Sequence, residues 1–300
     1  MHPDAISLPS PAKINLFLHI IGRRADGYHL LQTLFQFLDY GDTLHFCLRQ
    51  DGQIKLSCDP LLNIPEEENL IWRAASTLQH AANIGCGVDI VLDKHLPLGG
   101  GLGGGSSNAA TTLWALNELW QLHWTPTQLM ELGLRLGADI PFFLYGHAAW
   151  GEGVGDQLSP AQPQEDWVAV ITPPCHVSTA QMFSHPELTR NTPRLKIGTL
   201  EKGENDFAPL VCRHYPAVEE AMKWLSDYGK PQLSGSGASV FACFEIREQA
   251  QTAIKGLPKG FKGFVAKSTN ISPLHEAGEK LGFKVKKVSS DLVLDKAQLG

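Results

Sequence analysis

The chain has 300 residues, of which 43% are hydrophobic, and this is enough for one large globular domain or two of ordinary size. A formal net charge of -6 and a pI near 6.0 argue against a nucleic-acid backbone as a partner. The longest early apolar run is too short for a membrane span or a secretory signal, and six scattered cysteines without a C-x-x-C pair favour a reduced, cytoplasmic protein.

The first predicted element is a strand at residues 13–20, where hydrophobic and other side chains alternate. Lys13 and Asn15 lie on one face and Ile14 and Ile20 on the other, so we expect a strand that is buried on one face only. A lone charge beside a core needs a partner, which singles out Lys13. The pattern then predicts a turn, three strands and a helix, in that order, at residues 22–27, 28–38, 43–49, 53–58 and 70–82.

A glycine loop between a predicted strand at 88–92 and a predicted helix at 109–120 carries the strongest functional signal. Six glycines within seven residues leave backbone N–H groups free to close around a ligand. Ser106, Ser107 and Asn108 are good N-caps, and the positive end of a helix dipole favours a polyphosphate. A mobile linker is the alternative, but linkers rarely lie between an apolar strand and an apolar helix. The predicted phosphate-binding residues are Pro97, Leu98, Gly99, Gly100, Gly101, Leu102, Gly103, Gly104, Gly105, Ser106, Ser107 and Asn108.

Two better-known glycine motifs do not fit this loop. A P-loop has the pattern G-x-x-x-x-G-K-[ST], and the lysine is missing here. Gly99, Gly101 and Gly104 form a G-x-G-x-x-G pattern, but a dinucleotide fold places it in its first strand–turn–helix unit, with an acidic residue about twenty positions later. Here the loop lies far into the chain and Trp124 occupies that later position, which disfavours a nicotinamide cofactor.

Asp139 follows a predicted helix that has clear signals at both ends. Residues 125–128 read T-P-T-Q, a capping box with proline at the first helical position, and Gly137 is a natural end. Before any resemblance is considered, Asp139 is explained equally well by a turn or cap and by catalysis.

The composition changes at residues 159–166, which are rich in proline and glutamine and lack apolar periodicity. We therefore predict a boundary between domains at 1–160 and 161–300, with a flexible tail from about residue 278. Strands and helices interleave in the second half, which predicts an α+β fold. Its predicted elements are, in order, strand, helix, helix, strand, helix and strand at residues 167–171, 178–183, 217–225, 240–244, 247–255 and 263–267.

Several segments, taken in order, resemble the motifs of the GHMP kinases, the family of galactokinase and of homoserine, mevalonate and phosphomevalonate kinases. The resemblance covers roughly residues 9–277. It implies a two-domain α+β fold with an N-terminal domain like domain 2 of ribosomal protein S5, a ferredoxin-like C-terminal domain and an active site in the cleft between them. The matching segments are residues 11–16 (PAKINL), 23–29 (RRADGYH), 97–110 (PLGGGLGGGSSNAA), 137–143 (GADIPFF), 233–239 (LSGSGAS) and 270–275 (NISPLH).

The longer matches resemble the branch of that family that acts on 4-diphosphocytidyl-2-C-methyl-D-erythritol. This implies direct transfer of the γ-phosphoryl group of ATP, with Mg²⁺, to the 2-hydroxyl of that substrate in the non-mevalonate route to isoprenoids. Asp139 would be the catalytic carboxylate with Lys13 close to it, and a hydroxyl of Ser106 or Ser107 would approach the metal. The implied partners are ATP and the cytidine substrate, with neither nucleic acid nor membrane, for a monomer or weak homodimer.

Tyr28 and His29 follow the predicted turn, and an adjacent aromatic ring and imidazole suit a flat heterocycle. By the resemblance they hold the cytosine, and Phe183 from the second domain closes the stack. Plainer interpretations are a satisfied surface histidine, a helix-core phenylalanine and, for Asn15, solvation at a strand edge. The predicted substrate-binding residues are Asn15, Tyr28, His29, Phe183, Gly235 and Ser236.

Three other functions stay open at the level of sequence. A homoserine- or mevalonate-type kinase would have a small substrate that does not need Tyr28, His29 and Phe183. A nucleotide-binding regulator without chemistry is disfavoured because both Lys13 and Asp139 are present. A nicotinamide oxidoreductase would have to bind NAD.

Overall fold

The fold is organised around an antiparallel hairpin of two long strands, β1 (Ile6–Arg23) and β2 (His29–Arg49). The chain reverses at residues 24–28, two residues later than the start of the turn predicted at 22–27, because Gly22 and Arg23 still belong to β1 and Arg23 lies opposite His29. The two strands predicted at 28–38 and 43–49 are one continuous strand, β2. The computed structural model describes residues 5–59, 64–196 and 203–283.

The N-terminal half adds two strands to one side of β2 and packs helices against the hairpin. The helix predicted at 70–82 forms over that range, and the predicted capping box of the next-but-one helix is present. A short 3-10 turn, Glu66–Glu68, directly precedes the first α-helix. The remaining elements of this half are β3 (Ile54–Asp59), α1 (Leu70–Ala82), β4 (Gly87–Asp93), α2 (Gly104–Leu119), α3 (Pro126–Leu136), α4 (Ile140–Tyr145), β5 (Ala149–Glu152) and β6 (Gln157–Pro160).

The C-terminal half also alternates strands and helices, as predicted. Within the described segments, no helix of the chain is long and apolar enough to cross a membrane. The elements of this half are β7 (Trp167–Thr172), α5 (Thr179–Ser184), α6 (Ala208–His214), α7 (Pro216–Ser226), β8 (Gln232–Leu233), β9 (Val240–Phe244), α8 (Arg247–Ala253), β10 (Lys262–Thr269) and α9 (Pro273–Lys280).

One sheet runs through both halves, in the order β3-β4-β2-β10-β7-β9-β8. β1 and β5 also pair with β2, and β6 pairs with β5. β10 makes the junction, because its residues Ser268 and Thr269 pair with Leu38 and Phe37 of β2. An apolar cluster containing Ile14 of β1 spans this junction. The division into domains at residue 160 stays a prediction, and the predicted tail beyond residue 283 lies outside the described residues.

Both faces of β1 are buried between residues 10 and 20, so the expectation of one exposed face is wrong. Phe17 packs against Trp150 of β5, with ring centroids 5.1 Å apart. Ile20 belongs to the apolar core of the C-terminal half. These partners are distant in sequence, and local alternation of side chains cannot show that a second layer covers the strand.

The helix after the glycine loop begins five residues earlier than predicted. Its N-cap is Gly103, which has a left-handed backbone with φ of 72°, and the helix starts at Gly104. Ser106, Ser107 and Asn108 therefore lie inside the first turns of α2, and the prediction that they are N-caps is wrong. Left-handed φ favours glycine, which a search for serine or asparagine caps does not detect.

Candidate active site

A cleft of about 880 Å³ brings together most of the predicted site residues. It runs from the glycine loop to the turn that joins β1 and β2. Leu102 and Ser107, both buried, are not among the described residues that line it. The predicted residues that line it are Lys13, Asn15, Tyr28, His29, Pro97, Leu98, Gly99, Gly100, Gly101, Gly103, Gly104, Gly105, Ser106, Asn108, Asp139, Phe183, Gly235 and Ser236.

Lys13 and Asp139 face each other at the centre of the cleft. Nζ of Lys13 lies 3.6 Å from Oδ2 of Asp139, and the lysine side chain is 4% exposed against 35% for the aspartate. Asp139 is the N-cap residue of α4, yet among the described groups its carboxylate makes no capping hydrogen bond. The capping interpretation of Asp139 is therefore not realised, and its carboxylate is available to a ligand.

Asn15 holds the ammonium group of Lys13 in place. Lys13 Nζ donates a 2.6 Å hydrogen bond to Oδ1 of Asn15, and Asn15 Nδ2 donates to Oγ1 of Thr33 at 2.8 Å. Thr33 in turn donates to the carbonyl of Phe17. This chain fixes the orientation of the Asn15 amide, so Asn15 lines the cleft but has protein partners for both polar atoms.

Two backbone hydrogen bonds hold the glycine loop against β1 and against the turn before β9. The N–H of Lys13 donates to the carbonyl of Leu102 at 2.9 Å, and the N–H of Ser239 donates to the carbonyl of Gly100 at 3.1 Å. A Cβ added to Gly103 would lie 2.7 Å from the ring of Phe143. The side chain of Leu102 lies in the apolar cluster between the two halves, so it anchors the loop.

The first turn of α2 faces the cleft through the backbone of Gly104, Gly105 and Ser106. The first N–H groups of a helix have no partner within the helix, and together with the dipole they form an anion site. Ser107 points the other way, where its hydroxyl accepts a 2.9 Å hydrogen bond from Ser10. Of the two serines, Ser106 is the one that the structure places in the cleft.

A buried polar network beneath the loop was not predicted from the sequence. Asp42, which is 1% exposed, accepts a 2.6 Å hydrogen bond from Nζ of Lys94 and 2.8 Å bonds from the N–H groups of His95 and Leu96. Asn108 also donates to it, at 3.0 Å. Asp42 therefore joins the chain before the loop to the helix after it, and Lys94 adds a second cation to the cleft wall.

Three aromatic side chains, Tyr28, His29 and Phe183, form what we call the aromatic end of the cleft. The rings of His29 and Phe183 are stacked, with centroids 4.8 Å apart and planes at 24°. Tyr28 is 52% exposed and lines the cleft, so its ring is accessible to a ligand. Burial of the ring, then the charges of Arg190 and Arg23, lower the pKa of His29 below its ordinary value of 6.5.

The Gly235–Ser236 turn closes the cleft from the C-terminal half. Oγ of Ser236 lies 2.6 Å from Oγ1 of Thr179 at the start of α5. Asn205, a residue that sequence reasoning missed, donates 2.8 Å hydrogen bonds to the carbonyls of Leu233 and Gly235. Hydrogen bonds to Thr179 on one side and to Asn205 on the other therefore fix the position of this turn at the cleft.

Comparison with known proteins decides the family of this chain. The family descriptions "GHMP kinases N terminal domain" and "GHMP kinases C terminal" match residues 69–147 and 188–263. Two relatives named 4-diphosphocytidyl-2-C-methyl-D-erythritol kinase, from Marinobacter nauticus and Pseudomonas aeruginosa, are 51% and 52% identical to the chain. The alignments span 90% and 92% of this chain and 96% and 98% of the relatives.

The chain belongs to the 4-diphosphocytidyl-2-C-methyl-D-erythritol kinases, within the GHMP kinases. A crystal structure of 4-(cytidine 5'-diphospho)-2C-methyl-D-erythritol kinase superposes with a TM-score of 0.77 at 31% identity, over 88% of this chain and 99% of the other. A mevalonate kinase structure superposes with a TM-score of 0.64 at 15% identity, which shows the fold alone. The predicted family and the two-domain α+β fold are confirmed, and the nicotinamide oxidoreductase alternative is wrong.

For a kinase of this family the cleft also offers oxygen ligands that suit Mg²⁺. A Cβ on Gly137 would lie 3.8 Å from Oγ of Ser106, so this hydroxyl lies beside the turn that carries Asp139. A partly exposed carboxylate and a hydroxyl are hard oxygen donors, and Mg²⁺ takes one or two protein carboxylates together with substrate phosphates. The residues present therefore fit this metal.

Proposed function

We propose that the protein transfers the γ-phosphoryl group of ATP to the 2-hydroxyl of 4-diphosphocytidyl-2-C-methyl-D-erythritol, in the non-mevalonate route to isoprenoid precursors. The observation that carries the proposal is the position of the Lys13–Asp139 pair, between the glycine loop and the aromatic end of one cleft. The names of relatives at about 50% identity over most of the chain support the same substrate.

In this proposal Asp139 accepts the proton of the substrate hydroxyl while that oxygen attacks the γ-phosphorus. The bond from the γ-phosphorus to the leaving oxygen of ADP breaks as the new P–O bond forms, so no covalent enzyme intermediate is needed. Lys13 lies 3.6 Å from the carboxylate and offsets the charge of the phosphoryl group in transfer. Asn15 keeps the ammonium group in position through its 2.6 Å hydrogen bond.

The phosphates of ATP fit the glycine loop and the first turn of α2. Backbone N–H groups there carry partial positive charge, and Lys94 adds a full charge nearby. The hydroxyl of Ser106 and the carboxylate of Asp139 would hold Mg²⁺, which neutralises phosphate charge when bound. The cytosine fits the aromatic end, where Tyr28 offers a ring for stacking.

The oligomeric state, the compartment and the division into domains complete the proposal. We infer a monomer or weak homodimer in the cytoplasm, with domains that divide near residue 160. Analytical ultracentrifugation at two protein concentrations tests the oligomeric state, and limited proteolysis between residues 159 and 166 tests the division.

A coupled assay for ADP formation tests the proposed function. The purified protein is given ATP, Mg²⁺ and either the cytidine substrate, homoserine or mevalonate. We expect turnover with the cytidine substrate and none with homoserine or mevalonate. In Asp139→Asn we expect turnover of the cytidine substrate to be lost. Asp227→Asn is the matched control, because Asp227 is an exposed residue at the end of α7. ATP binding without ADP formation on any substrate would instead favour a nucleotide-binding regulator.

A further inference from the structure

Arg190 lies behind the aromatic end of the cleft and holds the ring of His29. Its Nε–H donates a 2.9 Å hydrogen bond to Nε2 of His29. Its other nitrogens donate to the carbonyls of Phe183, His185 and Leu188, around the end of α5. Arg190 is not among the described residues that line the cleft, so any effect on a ligand passes through these partners.

The hydrogen bond from Arg190 decides which nitrogen of His29 carries the proton. A guanidinium group only donates and stays protonated, so Nε2 of His29 must accept with its lone pair. The single proton of the neutral imidazole then lies on Nδ1. Burial of the ring, with the charges of Arg190 and Arg23, lowers the pKa of His29 and keeps this neutral form at physiological pH.

The Nδ1–H of His29 is a donor that the protein itself does not use. His29 lines the cleft, and within residues 5–59, 64–196 and 203–283 no hydrogen-bond partner is found for Nδ1. The carboxylate of Asp26 is engaged elsewhere, because it pairs with Arg24 at 2.8 Å and accepts from the N–H of Tyr28. The charged side chains around the ring and its turn are Arg23, Arg24, Asp26 and Arg190.

We propose that Arg190 is a positioning residue that makes the base site select cytosine over uracil, by holding His29 as the Nδ1–H tautomer. The proposal rests on the proposed function, in which a cytidine nucleotide occupies the aromatic end. N3 of cytosine accepts a hydrogen bond, whereas N3 of uracil donates one. A fixed donor therefore matches cytosine and meets a second donor in uracil, which costs about tenfold or more in affinity.

Two measurements on the unaltered protein test the proposal directly. Two-bond ¹H–¹⁵N spectra of enzyme labelled on histidine, with the His29 signal assigned through His29→Asn, report which ring nitrogen carries the proton. We expect the proton on Nδ1 at pH 7, and a proton on Nε2 or on both nitrogens overturns the proposal. Calorimetric titration is expected to show CDP binding about tenfold or more tighter than UDP, and equal affinities also overturn it.

Arg190→Met separates the effect on the tautomer from an effect on the fold. Without the guanidinium, neutral His29 can place its proton on either nitrogen, so at pH 8 we expect the CDP-to-UDP affinity ratio to fall to within about threefold. At pH 5.5 the imidazolium has no acceptor, so the ratio is expected to rise again. In the unaltered protein the ratio stays constant with pH, and ionisation of the diphosphate cancels because both nucleotides share it.

Introducing Arg190→Met into the His29→Asn variant tests whether Arg190 acts through His29 or only by supporting α5. In His29→Asn no tautomer is left to fix, and the amide can turn either its donor or its acceptor toward the base, so the CDP-to-UDP ratio is expected to be within about threefold of one, and adding Arg190→Met is expected to leave the CDP affinity unchanged. If Arg190 acted only by supporting α5 and Phe183, the CDP affinity would fall equally in both backgrounds. Arg213→Met is the matched control, since Arg213 is 64% exposed on α6 and pairs with Glu187.

These outcomes separate the inference from the proposed function. Turnover of the cytidine substrate together with equal CDP and UDP affinities would overturn the role of Arg190 and leave the kinase activity intact. Absence of both turnover and CDP binding would overturn the proposed function itself, while the histidine spectra would still decide whether Arg190 fixes the tautomer.

Discussion

Ser234 holds Gly101 from two sides. Its hydroxyl donates a 2.9 Å hydrogen bond to the carbonyl of Gly101, and its own carbonyl oxygen occupies the space that a Cβ at position 101 would need. Gly101 also has φ of 73°, in the left-handed region. The glycine loop is therefore docked onto the turn of the C-terminal half that carries Ser234.

Gly101→Ala is expected to raise the KM for ATP about tenfold or more, because the added methyl group overlaps the Ser234 carbonyl and displaces the loop. Gly256→Ala is the control, since Gly256 also has positive φ (71°) but no neighbouring atom that an added Cβ would meet. Backbone strain alone, about 1–2 kcal/mol, should then destabilise both variants in urea unfolding. Equal KM values for the two variants would contradict this role of the contact.

Lys13→Met is expected to lower kcat about a hundredfold or more while thermal unfolding stays close to that of the unaltered protein. The methionine keeps the length of the side chain but removes the charge that lies 3.6 Å from Asp139. Lys223→Met, at an exposed ion pair with Glu219 on α7, serves as the control. A near-normal kcat in the assay for ADP would rule out a catalytic role for Lys13.

Tyr28→Ala is expected to raise the KM for the cytidine substrate about tenfold or more and to leave the KM for ATP unchanged. Stacking on a base is worth roughly 1–3 kcal/mol, and Tyr28 is 52% exposed, so its loss removes ligand contacts rather than core packing. Tyr228→Ala offers a comparison, because Tyr228 is 42% exposed after α7, away from the cleft-lining residues. An unchanged KM for the cytidine substrate would show that the ring does not stack on it.

Asp42→Asn is expected to destabilise the protein by about 3–5 kcal/mol in urea unfolding, because it leaves the ammonium of Lys94 buried without its charge partner. It should also raise the KM for ATP, since Asp42 ties together the two ends of the glycine loop. Asp51→Asn breaks the exposed pair with Arg49, which water and salt screen, and should destabilise the protein far less. Similar losses for the two variants would argue against the network as a support of the loop.

The parts of this molecule that were predicted correctly are those encoded within a few residues of chain. The helix at residues 70–82 and the capping box at Thr125 depend on neighbours three or four positions apart. The family motifs also led to Lys13 and Asp139, which the fold brings within 3.6 Å.

The parts that were missed depend on contacts between distant segments. Asp42 meets Lys94 and Asn108 only because β2 passes under the glycine loop, and its local sequence resembles an ordinary strand. Arg190 lies in a segment without regular structure, and nothing local indicates that it reaches His29. Such pairs become predictable only once the topology is known.

His275 makes the stability of the fold depend on pH below neutrality. Its ring stacks on Trp114, with centroids 5.5 Å apart, and within the described residues neither ring nitrogen has a hydrogen-bond partner. Burial, and to a smaller extent the charge of His147, lower the pKa of His275 from 6.5 to about 4. The unfolded chain therefore binds a proton more readily than the folded protein between these two pH values.

Because the unfolded state binds more protons in this window, the free energy of unfolding is expected to rise with pH from about 4 to 6.5 and to level off above it. The full contribution of His275 is about 3 kcal/mol, present at neutral pH and lost toward pH 4. In His275→Phe the aromatic contact with Trp114 is kept without a titrating group, so urea unfolding across this range should show a shallower slope. His80→Phe, at an exposed position on α1, should keep the original slope, and equal slopes in all three proteins would show that His275 is not the group responsible.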